Sequence, residues 1–382
     1  MAENYDVVVA GGSIAGLTFA AEAAKKGAKV LVFEEHEEIG EPEKCDGLVS
    51  LRGLRKLGYP PEPAVIQSEI RAAVVRSPSG RRLSVDAKSL EVVVLDRSAY
   101  DKQVAETARS NGAEVRTGVR VTSHADRGGK VEVKAGPKSY SAPYYVDATG
   151  PSSSPRRGII PAAKYEVEGD WVREHTVEVF MDAGRYPGFF SWVIPFGGRK
   201  AKVGAAGYGI SPFRALDEFL SGRECRVLRR VSAPIYVGGP APEFVDGRTA
   251  LVGESAGQVK PTTAGGIMTS VAGATIAAKW VCAALEKGDP KLLKGYQEEW
   301  DGQFQKEMKS MQRLRGVLEK LSNGDLDAII SALGTPQLAR KLSNSDFDFH
   351  ASAILGALGI AGLLRVARVV ASAEVRSLLV EG

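Results

Sequence analysis

Val7-Val8-Val9-Ala10-Gly11-Gly12-Ser13-Ile14-Ala15-Gly16 is the stretch that decides the fold. An apolar run ends in paired glycines, and a small-residue segment with helical character follows to about Lys26. Gly27 ends that helix, Lys29 to Phe33 is a second apolar run, and Glu34 sits at its end. A strand, a tight turn, a helix and a second strand in this order are the βαβ opening of a doubly wound sheet. The turn is close to the G-x-G-x-x-G pattern of a dinucleotide site, with Ser13 at the second glycine position. Gly11 makes the tight turn, the small side chain of Ser13 lets a pyrophosphate approach the backbone, and Gly16 lets the helix pack close to the sheet. The helix N-terminus offers free N–H groups and positive partial charge to phosphates. Glu34 lies 23 positions after Gly11, near the roughly 20 expected of an acid that takes the ribose hydroxyls. These features together point to an adenine dinucleotide.

The bulk numbers fit a globular protein of more than one domain. The chain has 382 residues, 44% hydrophobic and 25% charged, long enough for a substantial core. A net charge of +4 is too small at this length to argue for nucleic acid and supports at most a mild preference for anionic surfaces. The first residues lack the basic start and long apolar stretch of a signal peptide, so a cytoplasmic start is expected. The three cysteines, Cys45, Cys225 and Cys282, form no C-x-x-C. That excludes a disulfide framework and leaves a single Cys225–Cys282 bridge open. The four scattered histidines have no metal-ligand spacing, and no metal is expected.

Along the rest of the chain, residues 60–95 alternate like strands and Tyr100 to Asn111 reads as a helix. Val115 to Val133 reads as hairpin strands. Residues 160–240 are strand-rich, with a helix at Pro212–Ser221, and a small-residue helix runs from about Gly265 to Leu285. Leu292, Tyr296, Trp300, Phe304, Met308, Met311, Leu314 and Leu318 recur at steps of three or four, the stripe of an amphipathic helix packed on the body. Ala351 to Leu364 is an apolar run of fourteen residues. It is shorter than the roughly 17–25 residues that span a bilayer, which leaves a buried helix or one lying at a membrane surface with Arg365 and Arg368 toward headgroups.

Three later segments narrow the dinucleotide to FAD. Arg97-Ser98-Ala99-Tyr100-Asp101 resembles the "R-x-x-[FY]-D" helix start of the p-hydroxybenzoate hydroxylase superfamily of flavoproteins. Asp147-Ala148-Thr149-Gly150 resembles its "D-A-x-G" turn. Gly253-Glu254-Ser255-Ala256-Gly257 resembles its "G-D-A-A-G" segment, with Glu254 in place of the usual Asp. Within that superfamily, three features resemble the geranylgeranyl reductase family, whose archaeal members saturate isoprenoid chains of membrane ether lipids. They are Lys44-Cys45-Asp46-Gly47, the Pro187-to-Pro195 segment containing Phe190 and Trp192, and Pro261 leading into Gly265-Gly266-Ile267. Phe190 stands where the family has Tyr, and Ile194 where it has Phe.

The resemblance implies an α/β protein in three parts. A doubly wound, Rossmann-like FAD-binding domain is expected from residues 1–60, 90–155 and 245–290. An antiparallel-sheet substrate domain would take 61–89 and 156–244, and a C-terminal helical region 291–382. It implies cofactor contacts from Gly11, Gly12, Ser13, Ala15, Gly16, Glu34, Glu35, Cys45, Gly47, Arg97, Thr149, Gly150, Gly253, Glu254, Gly265, Gly266 and Ile267. Cys45, Phe190 and Trp192 are the catalytic candidates: Cys45 as proton donor, with water as the alternative, and the two aromatic faces for cationic character at a tertiary carbon. Taken singly, a cysteine is as readily a small buried apolar residue, Phe190 and Trp192 would more often be core, and Lys260 is expected as a surface charge. The reaction implied is saturation of isolated C=C bonds of geranylgeranyl chains, with NADPH or a small carrier such as ferredoxin as reductant. Nucleic acid is not an expected partner, and the location is cytoplasmic, with peripheral contact at the inner face of the membrane left open. Phe190-Ser191-Trp192-Val193-Ile194-Pro195 is also one residue from the "W-x-W-x-I-P" signature of flavin-dependent halogenases. A halogenase or monooxygenase is therefore the alternative enzyme, and a redox-inactive lipid-binding or scaffold flavoprotein the alternative from another class.

Overall fold

Val7–Ala10 is buried along its whole length, because it lies in the middle of a six-stranded sheet. Val30–Phe33 pairs with it on one side and Tyr144–Asp147 on the other, all parallel. Thr249–Leu251 and Glu114–Arg116 extend the parallel part outward, and Val245–Asp246 closes one edge antiparallel. The strands alternate in what they face. Val7, Val9, Val30 and Val32 pack against helices Ile14–Lys25, Arg97–Ser110 and Ile267–Lys287. Val8, Ala10, Leu31 and Phe33 pack against a small antiparallel sheet of Val121–Asp126, Val131–Ala135 and Lys138–Ala142. Covering on both faces is what a parallel sheet requires, and it explains the unbroken apolar runs. The alanines of Ile14–Lys25 and Ile267–Lys287 are buried against one another. The small side chains let the two helices approach closely under the turn that joins strand to helix. The computed structural model describes residues 4–151, 158–335, 340 and 343. The apolar run at 351–364 lies outside the described residues.

A second sheet has seven strands in the order Arg226–Ser232, Ala162–Glu168, Lys200–Ala206, Ser191–Gly197, Thr176–Phe180, Ala72–Arg76, Arg82–Asp86. Ala72–Arg76 enters it parallel to Thr176–Phe180, so chain from before the second half of the first sheet is woven into the second. Helix Pro212–Leu220 starts on a proline at its first turn, where the missing N–H costs nothing, and lays Leu216, Phe219 and Leu220 on this sheet. A three-stranded antiparallel sheet of Leu48–Ser50, Val92–Leu95 and Ile66–Ile70 takes its strands from either side of Ala72–Asp86 in sequence, and its Val92–Leu95 leads directly into Arg97.

Helix Lys294–Leu318 buries Tyr296, Trp300, Phe304, Met308 and Met311, as its periodicity predicts. Its end differs from the sequence reading. The buried stripe passes from Met311 to Arg315, while Leu314 and Leu318 are half-buried. Leu292 belongs to a preceding 3-10 turn, Pro290–Leu293. Ile267–Lys287 is the described helix long and apolar enough to cross a membrane, and most of it is buried in the core.

Candidate active site

The glycine turn is held by contacts no larger residue would allow. Gly11 has φ +105°, and a Cβ there would meet the Ala148 carbonyl oxygen at 2.3 Å; a Cβ on Gly16 would come within 2.0 Å of the Gly11 oxygen. Gly12 N–H donates to Glu34 Oε2 at 2.7 Å. The other Glu34 oxygen accepts the backbone N–H of His36 at 3.0 Å and lies 2.6 Å from its Nδ1. Glu34 therefore ties the end of the second strand to the turn. Ser13 has extended backbone and does not cap the helix it precedes. Its hydroxyl instead donates to Asp101 Oδ2 at 2.9 Å. Ala15 touches the second glycine segment, since a Cβ on Gly253 (φ +63°) would meet the Ala15 Cβ at 2.6 Å. Glu35 is not brought to this cluster. It is exposed and pairs with Arg120 at 3.4 Å.

Arg97 is buried one turn from Asp101, and its Nη2 donates to Asp101 Oδ1 at 2.8 Å. Burial opposes the guanidinium charge, but Asp101 and the nearby Cys45 sulfur more than offset this and hold its pKa above the ordinary value. Its Nε and the Ser98 hydroxyl are buried without a hydrogen-bond partner among the described residues. Thr149 donates through both N–H and hydroxyl to Asp147 Oδ1, at 2.9 and 2.7 Å. The Ser255 hydroxyl donates to the same oxygen at 3.0 Å and accepts Gly150 N–H at 2.9 Å. The turn at 147–150 and the segment at 253–257 are thus one hydrogen-bonded unit. In that segment burial pushes the Glu254 carboxyl up, against the pull of Arg97 and Lys44.

Gly266 precedes helix Ile267–Lys287 with no side-chain cap, and Ile267 is buried in the first turn. Gly265 folds back so that Lys260 N–H reaches its carbonyl at 3.1 Å. A Cβ on Gly265 would lie 2.8 Å from Lys260 Cε. Lys260 is therefore buried, not a surface charge as its sequence context suggests. The tight loop wraps the lysine stem instead of projecting it.

Cys45 is exposed, so it does not fill the core. Its loop is fixed from below. Gly47 (φ +78°) lies so close to Leu95 that a Cβ would meet the Leu95 oxygen at 2.2 Å, and Leu95 N–H donates to the Gly47 carbonyl at 2.9 Å. Leu95 ends the strand before Arg97, which is why the thiol and the guanidinium are neighbours. Lys164 Nζ donates to the Cys45 carbonyl at 2.8 Å and lies 3.6 Å from Asp46 Oδ1. Lys202 Nζ donates to Glu43 Oε1 at 2.7 Å. Trp192 Nε1 donates to Asp46 Oδ2 at 2.7 Å. Trp192 meets Phe190 edge-on with centroids 6.0 Å apart, and Phe190 stacks on Phe189 at 4.0 Å. All three aromatic residues come from the Pro187–Pro195 segment. Phe189 is buried, whereas Phe190 and Trp192 are only partly so.

Sequence reasoning missed the supports of this site. Asp101, Asp147 and Ser255 lie within the motif segments but are not among the candidate residues those motifs imply. Lys164 breaks the run of small residues that opens its strand, whereas Lys202 follows Lys200 and stands out from nothing around it.

The residues fit FAD. The helix starts at Ser13 and Gly266 have no side-chain caps, a buried arginine keeps an unused donor, and glycines keep both turns free of side chains. Phosphates would meet the Gly11–Gly16 helix start, ribose hydroxyls Glu34, and the flavin end Arg97, Glu254 and Gly265–Gly266. FAD would supply a hydride when bound and reduced, and the exposed thiol of Cys45 lies next to Arg97 at that end.

The sequence profile of the FAD dependent oxidoreductase family matches residues 6–153. Digeranylgeranylglycerophospholipid reductase 2 of Methanothermobacter thermautotrophicus is 33% identical over 357 residues, 86% of this chain and 92% of that protein. A geranylgeranyl bacteriochlorophyll reductase-like protein of Thermoplasma acidophilum superposes with a TM-score of 0.87 at 23% identity, over 96% of this chain and 99% of that one. A mutant of the halogenase PltM in complex with FAD superposes with a TM-score of 0.69 at 15% identity, over 98% and 97% of the two chains. The halogenase likeness is one of fold, while the first relative is alike in sequence along nearly its whole length, and the chain belongs to the digeranylgeranylglycerophospholipid reductase family of FAD-dependent oxidoreductases.

Proposed function

We propose that this protein saturates isolated C=C bonds in the geranylgeranyl chains of archaeal-type glycerophospholipids. An isolated trisubstituted alkene has no group to delocalise an incoming hydride. A proton must therefore reach the less substituted carbon as the hydride reaches the more substituted one. One proton and one hydride are added per bond, and NADPH or a small carrier such as ferredoxin would supply the electrons. The residues of this chain supply what the flavin cannot. Cys45 provides the proton at Sγ, restored from solvent through its exposed position. Phe190 and Trp192 present aromatic surface to the carbon that gains cationic character, an interaction worth roughly 0.5–2 kcal/mol per ring when desolvated. Work at the inner face of the membrane, with the chain drawn from the bilayer, suits this substrate.

The observation that carries this reading is the bond from Trp192 to Asp46. It fixes an aromatic wall to the loop that exposes Cys45, so the apolar surface and the acid are held together. The test is anaerobic turnover. Dithionite-reduced enzyme should add hydrogen to a digeranylgeranyl glycerophospholipid, read by mass spectrometry, without halide. Oxygen- and halide-dependent product would establish the halogenase reading instead. Flavin reduced and never reoxidised by any alkene would leave a lipid-binding protein.

A further inference from the structure

We propose that Arg315 is the anchor for the phosphate of the lipid headgroup. The proposal deepens the reading of the substrate as an isoprenoid glycerophospholipid and rests on it. Arg315 occupies the last buried position of the stripe on helix Lys294–Leu318, where the periodicity calls for an apolar side chain. It is 4% exposed. Its Nε donates to Glu319 Oε1 at 2.8 Å, but its Nη2 is buried with no hydrogen-bond partner among the described residues. Among the described residues the carboxylate it pairs with, Glu319, is shared, because Tyr208 donates its hydroxyl to the same oxygen at 2.9 Å. Burying a charged donor without a partner costs stability, so a ligand that completes it is favoured.

Arg315 itself lines a narrow cleft together with Met181, Gly188, Phe189, Phe190 and Thr262. Thr262 belongs to the loop that leads into Gly265–Gly266, and Phe190 to the aromatic wall, so the cleft adjoins the candidate active site. The guanidinium lies over the Phe189 ring, 5.2 Å from its centroid. From there Phe189, Phe190 and Trp192 follow one another to Asp46, the neighbour of Cys45. A cation at one end of an aromatic wall and an acid at the other match a ligand with a compact anion at one end and an apolar chain. Arginine's planar fork suits phosphate oxygens better than a point charge does.

The experiment measures binding to the FAD-loaded enzyme by calorimetry, with geranylgeranyl monophosphate and geranylgeraniol as probes. The parent should bind the phosphate more tightly than the alcohol. Arg315→Met should weaken the phosphate roughly 10- to 100-fold, the range for one lost charge-assisted hydrogen bond, and leave the alcohol within a few-fold. Arg315→Lys should fall between. If Arg315→Met does not fold, Glu319→Gln reads the same point: without the competing carboxylate, the phosphate should bind several-fold more tightly and the alcohol unchanged. No preference for phosphate in the parent, or a preference that survives Arg315→Met, overturns the proposal. So does a variant that loses FAD affinity while keeping that preference, which would assign Arg315 to the flavin. Tight, Arg315-dependent phosphate binding without alkene reduction would uphold the anchor and remove the reductase reading.

Discussion

Trp192 donates its indole N–H to Asp46 Oδ2 at 2.7 Å across 146 positions of sequence, and through that bond the second sheet sets where the Cys45 loop lies. Trp192→Phe keeps a ring and removes the donor. A hydrogen bond to a charged acceptor is worth about 1.5–3 kcal/mol when buried; this pair is only partly so, and a stability loss near the low end is expected. The larger effect should be on rate. Misplacing a reacting group by about 1 Å can cost on the order of 100-fold, so alkene-dependent reoxidation should slow by about 10- to 100-fold with FAD affinity unchanged. Stopped-flow absorbance of the reduced variant mixed with substrate checks this. A rate equal to the parent's would mean that the lysines alone hold the loop.

Those lysines carry the next expectation. Lys202 is 1% exposed, and its ammonium is held by Glu43 at 2.7 Å, with Lys164 3.8 Å from the same oxygen. Removing one member of a buried pair strands the other charge and typically costs about 3–5 kcal/mol. Lys202→Met should lose stability in that range in a urea melt, eased somewhat because Lys164 remains near Glu43. Adding Glu43→Gln should recover most of the loss. A single variant as stable as the parent would show that water reaches Glu43 and solvates it.

The sequence reveals the site where its geometry is local. Gly11, Gly16 and Glu34 are legible because a strand, a turn and a helix leave few ways to place backbone beside phosphate. Arg97, Thr149 and Gly150 enter through the family motifs they resemble, and each follows a strand end within a few residues. The supports are not local. Lys202 meets Glu43 across 159 positions and Lys164 meets Cys45 across 119, and a lysine in a strand carries no mark of the carboxylate it will face. Lys260 and Arg315 mislead for a related reason: their charge suggests solvent, whereas their burial follows from a tight glycine loop in one case and from helical periodicity in the other. Leu318 shows the converse, an apolar residue carried past the end of its stripe to a half-buried position.

Glu254 gives a pH dependence whose sign is fixed. Burial raises its pKa in the folded protein above that of the unfolded chain. The unfolded state then loses the proton first, so the protonated carboxyl's contribution is intact below the ordinary carboxylate value of about 4.3 and is lost as pH rises through the raised folded value. Glu254→Gln has no proton to lose. The FAD-free variant should therefore melt close to its parent at about pH 4 and above it at about pH 8. Thermal melts of both proteins across that range check it. A parent that gains on the variant as pH rises would mean that Arg97 and Lys44 outweigh the burial.

Cys45→Ser separates chemistry from packing at the thiol. The side chain is exposed, its sulfur accepts Gly47 N–H at 3.5 Å, and the Arg97 guanidinium is close enough to interact with it. A serine hydroxyl is nearly the same size and accepts the same N–H, yet it is a far weaker acid than a thiol. The variant should fold, retain FAD and be reduced at the parent's rate, because none of those steps uses the proton. Reoxidation by alkene should fall by about 100- to 10,000-fold, the usual contribution of a positioned acid. If the group instead served only to shape the loop, the near-isosteric change would leave the rate within a few-fold. Solvent deuterium isotope effects sharpen the distinction. A large effect on the parent that persists in the variant at an unchanged rate would assign the proton to water, and Cys45 would then be a wall of the site and not its acid.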